Sequence, residues 1–393
     1  MHYRIRGEEC RHIQAANIAR GQLQEEYNIP DSPIGQGNIN INEALQNQQN
    51  MDQIAEENRR ALTGEYEDEG HFYCDNVEEF GVALERLKNV PLPYDRANAL
   101  NGSNITFGIE LEFVDGDSDA IARELYELGI ISEPRMVRYH DSGTPGKWTL
   151  ERDGSVTSGR RGGELVSPVL RDTPETWEQI EKICEVAKRH GARINYKCGG
   201  HVHVSMEPLD TARQRWRRFF KAIKGYEETI YRASGGNEGR IRSGHSYYAM
   251  PFNERASYGT RRRVTMESES DVHSLVEDIG NRNRYYGINL TNIHRPDKPN
   301  TIEFRYFNGS LDPATIQANI KIAAGIIMAS EKVRSKDLRD APTPETMKRR
   351  GNMLNNARNE RNNQSLMEFL DIFFSRKRDK EHVLGVLARN TWR

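Results

Sequence analysis

The chain has no long apolar run, few cysteines and almost no net charge. Its longest apolar-looking stretch, Ile320 to Met328, is interrupted by Lys321 and falls far short of the ~18 residues that cross a bilayer. The opening MHYRIRGEEC lacks the apolar core of a secretory leader, so no leader is expected and the cytoplasm is the default location. Four cysteines (Cys10, Cys74, Cys184, Cys198) in 393 residues make no disulfide framework. Lys and Arg total 56 against 58 acids, a formal net charge of −2. That balance supplies no drive toward nucleic acid or an anionic membrane, and neither partner is expected. Hydrophobic residues make up 36% of the chain, a modest share that leaves part of it outside the packed body.

What is present changes along the chain. Residues 1 to about 65 are rich in Gln, Asn, Glu and Arg and read as a flexible or partly helical extension. Asp75 to Val90 reads as an amphipathic helix with Val77, Phe80, Leu84 and Leu87 on one stripe, capped by Asp75 or Asn76 and broken by Pro91 and Pro93. From residue 104, ITFGIELEFV alternates with period two, as a half-buried strand does. Further strands are expected at 162–168, 199–206, 286–293 and 300–307. Helices are expected between them. One follows Asp172, which sits three residues before Glu175 in a capping-box pattern, with Pro174 in the first turn. Others run from about Asp210 to Ala233, from Asp312-Pro313, and near Leu366 to Phe374. The interspersed elements lack a βαβ repeat, so the expected fold is α+β with a mainly antiparallel sheet.

Three of the strands carry the chemistry. Glu110 and Glu112 are two apart and project from the same face, as do His201 and His203, and Glu303 and Arg305. The opposite faces are apolar: Ile109 and Leu111, Val202 and Val204, Ile302 and Phe304. Two carboxylates about 7 Å apart repel by roughly 2 kcal/mol at an effective dielectric of ~20. Glu164 and Glu303 on the same face raise that cost, and a cation is the natural remedy. Hard oxygens with one imidazole suit Mg²⁺ or Mn²⁺. Each pair taken singly also reads as a solvated sheet face, a hydrogen-bonded histidine or an ion pair. Their recurrence on successive strands favours a shared site.

The motifs GIELEF (108–113), W-x4-DGS (148–155), GELVSP (163–168), GGHVHV (199–204) and IEFR-x-FNGS (302–310) occur in that order. This set resembles the amidoligase family, relatives of glutamine synthetase and glutamate–cysteine ligase, over roughly residues 104–330. The resemblance implies a curved, mainly antiparallel sheet of the glutamine synthetase type with helices packed on its convex face. It implies an ATP-dependent carboxylate–amine ligase that forms an amide through an acyl phosphate. ATP and Mg²⁺ or Mn²⁺ are the implied cofactors. Carried over by motif, Glu110, Glu112, Glu164, His201 and Glu303 are the expected metal ligands. His203 is then a nucleotide contact, and Arg305 with Glu303 serves the phosphoryl transfer. Asp153 binds metal or the incoming ammonium, or is a turn residue of RDGS.

Arg161, His294 and Arg295 are secondary candidates for phosphate or carboxylate contacts, or solvated side chains. Asn289 lines the cleft or pairs with backbone. The segment 244–259 is a covering loop or a packed surface loop. Outside the matched region, Cys10-x-His12 and His71-x2-Cys74 offer a Cys₂His₂ zinc set, against four unrelated residues in a loose extension. The expected organisation is an N-terminal extension over 1–100, the amidoligase domain over 101–332 and a helical extension over 333–393. The substrates are a carboxylate and an amine, for which a small amino acid, a peptide, a peptidoglycan-like fragment or a protein side chain all qualify. Two other classes stay open: a catalytically silent binding module that keeps the fold, and a metal-dependent hydrolase.

Overall fold

The computed structural model describes residues 76–139, 144–210, 212–234, 248–255, 284–293, 299–332 and 344–391. All lie within the unit Ala61–Arg393. Cys10, His12, His71 and Cys74, together with His294 and Arg295, fall outside the described residues.

In chain order the elements are α1 (Val77–Leu87), β1 (Phe107–Asp117), α2 (Ser118–Glu127), β2 (Thr149–Glu151), β3 (Arg161–Val166), α3 (Pro174–Arg189) and β4 (Ala192–Arg193). There follow β5 (Gly200–Ser205), α4 (Arg213–Ala233), the single-turn α5 (Phe252–Arg255), β6 (Ile288–Asn289), β7 (Thr301–Phe304) and α6 (Pro313–Lys332). The chain ends with α7 (Pro344–Asn356), α8 (Asn363–Phe373) and α9 (Lys377–Arg389). The strands form one open sheet in the order β2-β3-β1-β5-β7-β6, with β4 pairing the far end of β1. Every pairing between these strands is antiparallel.

Alternation along β1 sends Phe107, Ile109, Leu111 and Phe113 to one side, where all four are buried. Residues directly opposed on neighbouring strands share a face. Ile109 opposes Val202, Leu111 opposes Leu165, and Val204 opposes Ile302. Helices cover this apolar face. The Trp177 ring of α3 stacks on Phe107 at 5.7 Å, and Phe219 of α4 meets Phe304 edge-on at 6.3 Å. Such ring pairs add about 0.5–1.5 kcal/mol beyond the area they bury. The same core takes in Ile320 of α6, Leu370 of α8 and Leu384 of α9. Among the described residues, no helix is long and apolar enough to cross a membrane.

Asn76 caps α1 by accepting from the amides of Glu78 and Glu79. Val77 is 39% exposed and lies off the stripe, where Ala83 is buried instead. The capping box expected at Asp172 does not form. Thr173 caps α3, and Asp172 accepts from the amides of Ala99 and Leu100 and from Trp177 Nε1. Two amides from a distant loop and the Trp177 indole together outweigh one helix terminus for a single carboxylate.

Lys321, in the middle of α6, is 2% exposed. Its Nζ lies 2.6 Å from both Asp95 Oδ2 and Asp379 Oδ1. Arg376 completes the pairing of Asp379, and Arg378 that of Asp95. Burial alone would raise Asp95, but Lys321 and Arg378 hold its carboxyl at about 2. This ionic knot fastens the segment after α1 and the start of α9 to α6.

Candidate active site

The sheet register assembles the second face. Glu110 opposes His201, Glu112 opposes Glu164, and Glu164 opposes Glu151. On the other side His203 opposes Glu303, and Glu303 opposes Asn289. Because opposed residues share a face, six strands contribute to one polar surface whose reverse is the apolar core. A slip of one residue in any strand would exchange the two.

Distances within this surface are short. Glu110 bridges both imidazoles, with Oε2 2.7 Å from His201 Nδ1 and Oε1 2.9 Å from His203 Nε2. His201 Nδ1 also lies 3.5 Å from Glu303 Oε1, and its Nε2 lies 3.9 Å from Glu112 Oε1. Glu112 is fixed by the Gly199 amide, which donates to Oε2 at 2.7 Å. Gly200 beside it is required by crowding, since a Cβ there would stand 2.8 Å from the Asn308 carbonyl. Glu303 accepts from Asn289 Nδ2 at 2.6 Å and from Arg305 Nη1. The Arg305 Nε donates to the Tyr248 carbonyl at 2.9 Å. Glu112, Glu164, His201 and Glu303 are all at most 6% exposed.

Among the described residues, two sets of three donors have ligand atoms within 4.8 Å of one another: Glu110, His201 and Glu303, and Glu112, Glu164 and His201. His201 belongs to both. Carboxylate oxygens with one imidazole fit a hard divalent cation.

Charge is distributed unevenly across the surface. Burial works to raise Glu110, but His203 and His201 outweigh it and hold the carboxyl well below the usual range. Glu303 is likewise low despite burial, because Arg305 and the histidines lie against it. Burial would lower His203, yet Glu110 and then Glu303 raise it above an ordinary imidazole. At the other end no such compensation reaches Glu164. Burial, reinforced by Glu110, Glu112, Asp153 and Glu151, pushes its carboxyl well above the usual range. The face thus has a compensated end around β5 and β7 and an acid-rich end around β2 and β3.

The structure brings Glu110, Glu112, Glu164, His201, His203, Glu303 and Arg305 together. Asp153 sits in the turn after β2, where its Oδ1 accepts from the Ser155 amide at 2.6 Å, and its charge reaches Glu164. Arg161 stands apart from this group. It is exposed at the start of β3, its backbone bonded to Ser158 and its register partner Asp117 at the bulged end of β1. Asn289 both lines the face and pairs with backbone, its Oδ1 accepting from the Thr291 amide.

Two residues at the acid-rich end escaped sequence reading. Glu151, 6% exposed, stands across from Glu164. It lies inside the W-x4-DGS motif, but a three-residue strand is too short to display alternation. Tyr139 follows Val137, whose backbone bonds to Leu150 and Arg152 along β2. Burial and then the charges of Glu164 and Glu110 raise its phenol, so it stays a hydroxyl donor at the rim.

The sequence model of one family, described as "putative amidoligase enzyme", matches residues 103–327. The chain belongs to the amidoligase family. The match spans every strand from β1 to β7 and therefore the whole of the polar face. No curated protein matches the chain. Amidoligase membership makes it one of a family of amide-bond-forming enzymes.

Proposed function

We propose that the protein is an ATP-dependent carboxylate–amine ligase built on a glutamine synthetase-like sheet, with residues 101–332 as its catalytic domain. One observation carries the reading: carboxylates and imidazoles from four strands converge on one sheet face with Arg305 at its edge. Glu110, Glu112, Glu164, His201 and Glu303 would hold divalent ions, Mg²⁺ or Mn²⁺. Such ions, when bound, neutralise phosphate oxygens and favour in-line transfer of the γ-phosphoryl group.

The chain's own residues do the rest. Arg305, held by Glu303 and the Tyr248 carbonyl, presents a planar guanidinium to the charge that develops on the transferring phosphoryl group. His203, whose protonated form Glu110 and Glu303 favour, faces a nucleotide phosphate. The substrate carboxylate attacks the γ-phosphorus, and ADP leaves. The amine nitrogen then attacks the acyl carbon, phosphate leaves with the acyl C–O bond, and the nitrogen gives up its proton. Asp153, at the acid-rich end, attracts the amine in its protonated form, which gives one proton to solvent before it attacks and the second as the amide forms.

The test is ADP release that needs divalent metal, a carboxylate and an amine together. Amide hydrolysis without ATP would replace the ligase with a hydrolase. No heat on titration with Mg-ATP would make the protein a silent module.

A further inference from the structure

Glu227, on α4, is a buried carboxylate that the polar face does not use. It is 1% exposed and accepts three hydrogen bonds. The Phe252 amide (2.7 Å) and the Tyr306 hydroxyl (2.9 Å) reach Oε1, and the Asn253 amide (2.8 Å) reaches Oε2. Burial raises the carboxyl to about 7, against the pull of the Asn253 and Phe252 amides and the Tyr306 hydroxyl. A carboxylate placed this deep is costly, and its partners indicate what it holds.

The amides belong to the strap 248–255, which α4 grips at further points. Tyr231 Oη donates to the Ala249 carbonyl at 2.6 Å, and Asn253 Nδ2 donates to the Lys224 carbonyl at 2.9 Å. The strap also pairs with the chain before β6: the Met250 amide donates to Tyr285, and the Gly287 amide to Met250. Gly287 in turn accepts from the Arg305 amide at 2.8 Å. At its start the strap offers the Tyr248 carbonyl to Arg305 Nε. The third partner of Glu227, Tyr306, is the next residue after Arg305. Its ring meets Tyr231 edge-on at 4.9 Å and lies so close to Gly287 that a Cβ there would come within 2.0 Å. Glu227 therefore grips both supports of Arg305: the neighbouring residue in the chain and the strap that binds the guanidinium.

We propose that Glu227 is a positioning residue that aims Arg305 at the carboxylate–histidine face by holding Tyr306 and the 248–255 strap. The consequence for catalysis rests on the ligase reading above; the geometric part does not. In Glu227→Gln an NH₂ group faces a backbone amide or the Tyr306 hydroxyl, so at least one acceptor is lost with little change of volume.

Two measurements on the full chain decide the matter. The first is the solvent exchange of the Arg305 Nε proton in ¹⁵N-arginine-labelled protein, assigned by its disappearance in Arg305→Lys. Glu227→Gln is expected to speed it about tenfold or more, and Tyr306→Phe by a smaller factor. An unchanged rate in a folded variant overturns the proposal. Should Glu227→Gln fail to fold, Tyr306→Phe decides alone. The second is a double-mutant cycle on metal-dependent ADP release. Glu227→Gln is expected to lower kcat about tenfold in the wild-type background and to add nothing in Arg305→Lys. Fully additive losses overturn action through Arg305. If the wild-type protein neither binds Mg-ATP nor releases ADP, the ligase reading falls, and proton exchange still decides the positioning.

Discussion

Glu110 and His201 face each other across the β1–β5 pair, 91 residues apart in sequence, with Oε2 2.7 Å from Nδ1. The other oxygen of the same carboxylate lies 2.9 Å from His203. One carboxylate therefore touches two imidazoles, and it favours the protonated form of His203. In Glu110→Gln, the metal-free protein should show His203 titrating at lower pH by NMR, because its main source of elevation is gone and burial remains. Mn²⁺ affinity, followed by calorimetry, should fall about tenfold or more.

Arg305→Lys exchanges a fork that engages Glu303 and Tyr248 at once for a single ammonium. The expected result is a loss of roughly 10²-fold in kcat, of the order seen when one preorganised electrostatic donor is removed. Thermal melting should change by only a few degrees. Retention of full turnover would remove Arg305 from the phosphoryl-transfer role.

Glu227 links folding to pH in a direction unusual for a carboxyl. Its value rises from 4.5 to about 7 because burial outweighs three hydrogen bonds. The folded state therefore holds a proton that the unfolded chain releases between those values, so this group's contribution is complete below pH 4.5 and is lost as pH rises through 7. In full it amounts to about 3 kcal/mol. Urea unfolding at pH 4.5 and pH 8 should show the wild type losing more stability than Glu227→Gln by an amount of that order. Equal losses would show that Glu227 titrates normally.

Lys321→Met should be strongly destabilising. It leaves the buried Asp95 and Asp379 without the ammonium that lies 2.6 Å from each. Breaking a buried pair of this kind costs about 3–5 kcal/mol. The urea midpoint should drop accordingly, and adding Asp379→Asn should restore part of it. A midpoint within error of wild type would show that Arg376 and Arg378 suffice on their own.

Much of the site was legible because it is written in strand periodicity. E-x-E, H-x-H and E-x-R each place two groups on one face whatever the partner strand. The opposition of Glu110 to His201 was not legible, since register is fixed by contacts far apart in sequence. Glu151 was hidden by the shortness of β2. Asp172 matched a local capping pattern, but donors more than seventy residues away claimed it. Glu227 falls on the apolar stripe of α4, between Ile223 and Ile230, but the partners that satisfy it, α5 and Tyr306, come from distant sequence and were not legible. The strands expected at 286–293 and 300–307 shorten to Ile288–Asn289 and Thr301–Phe304.

The two outermost strands of the sheet are among its shortest, three residues in β2 and two in β6. Parallel bridges from Ile131 to Trp148 and from Val137 to Glu151 run along β2, and one from Met250 to Tyr286 precedes β6. Among the described residues, little unpaired backbone is left at either margin to template a foreign chain. Short margins of this kind resist edge-to-edge pairing, and lengthening either by engineering should raise self-association.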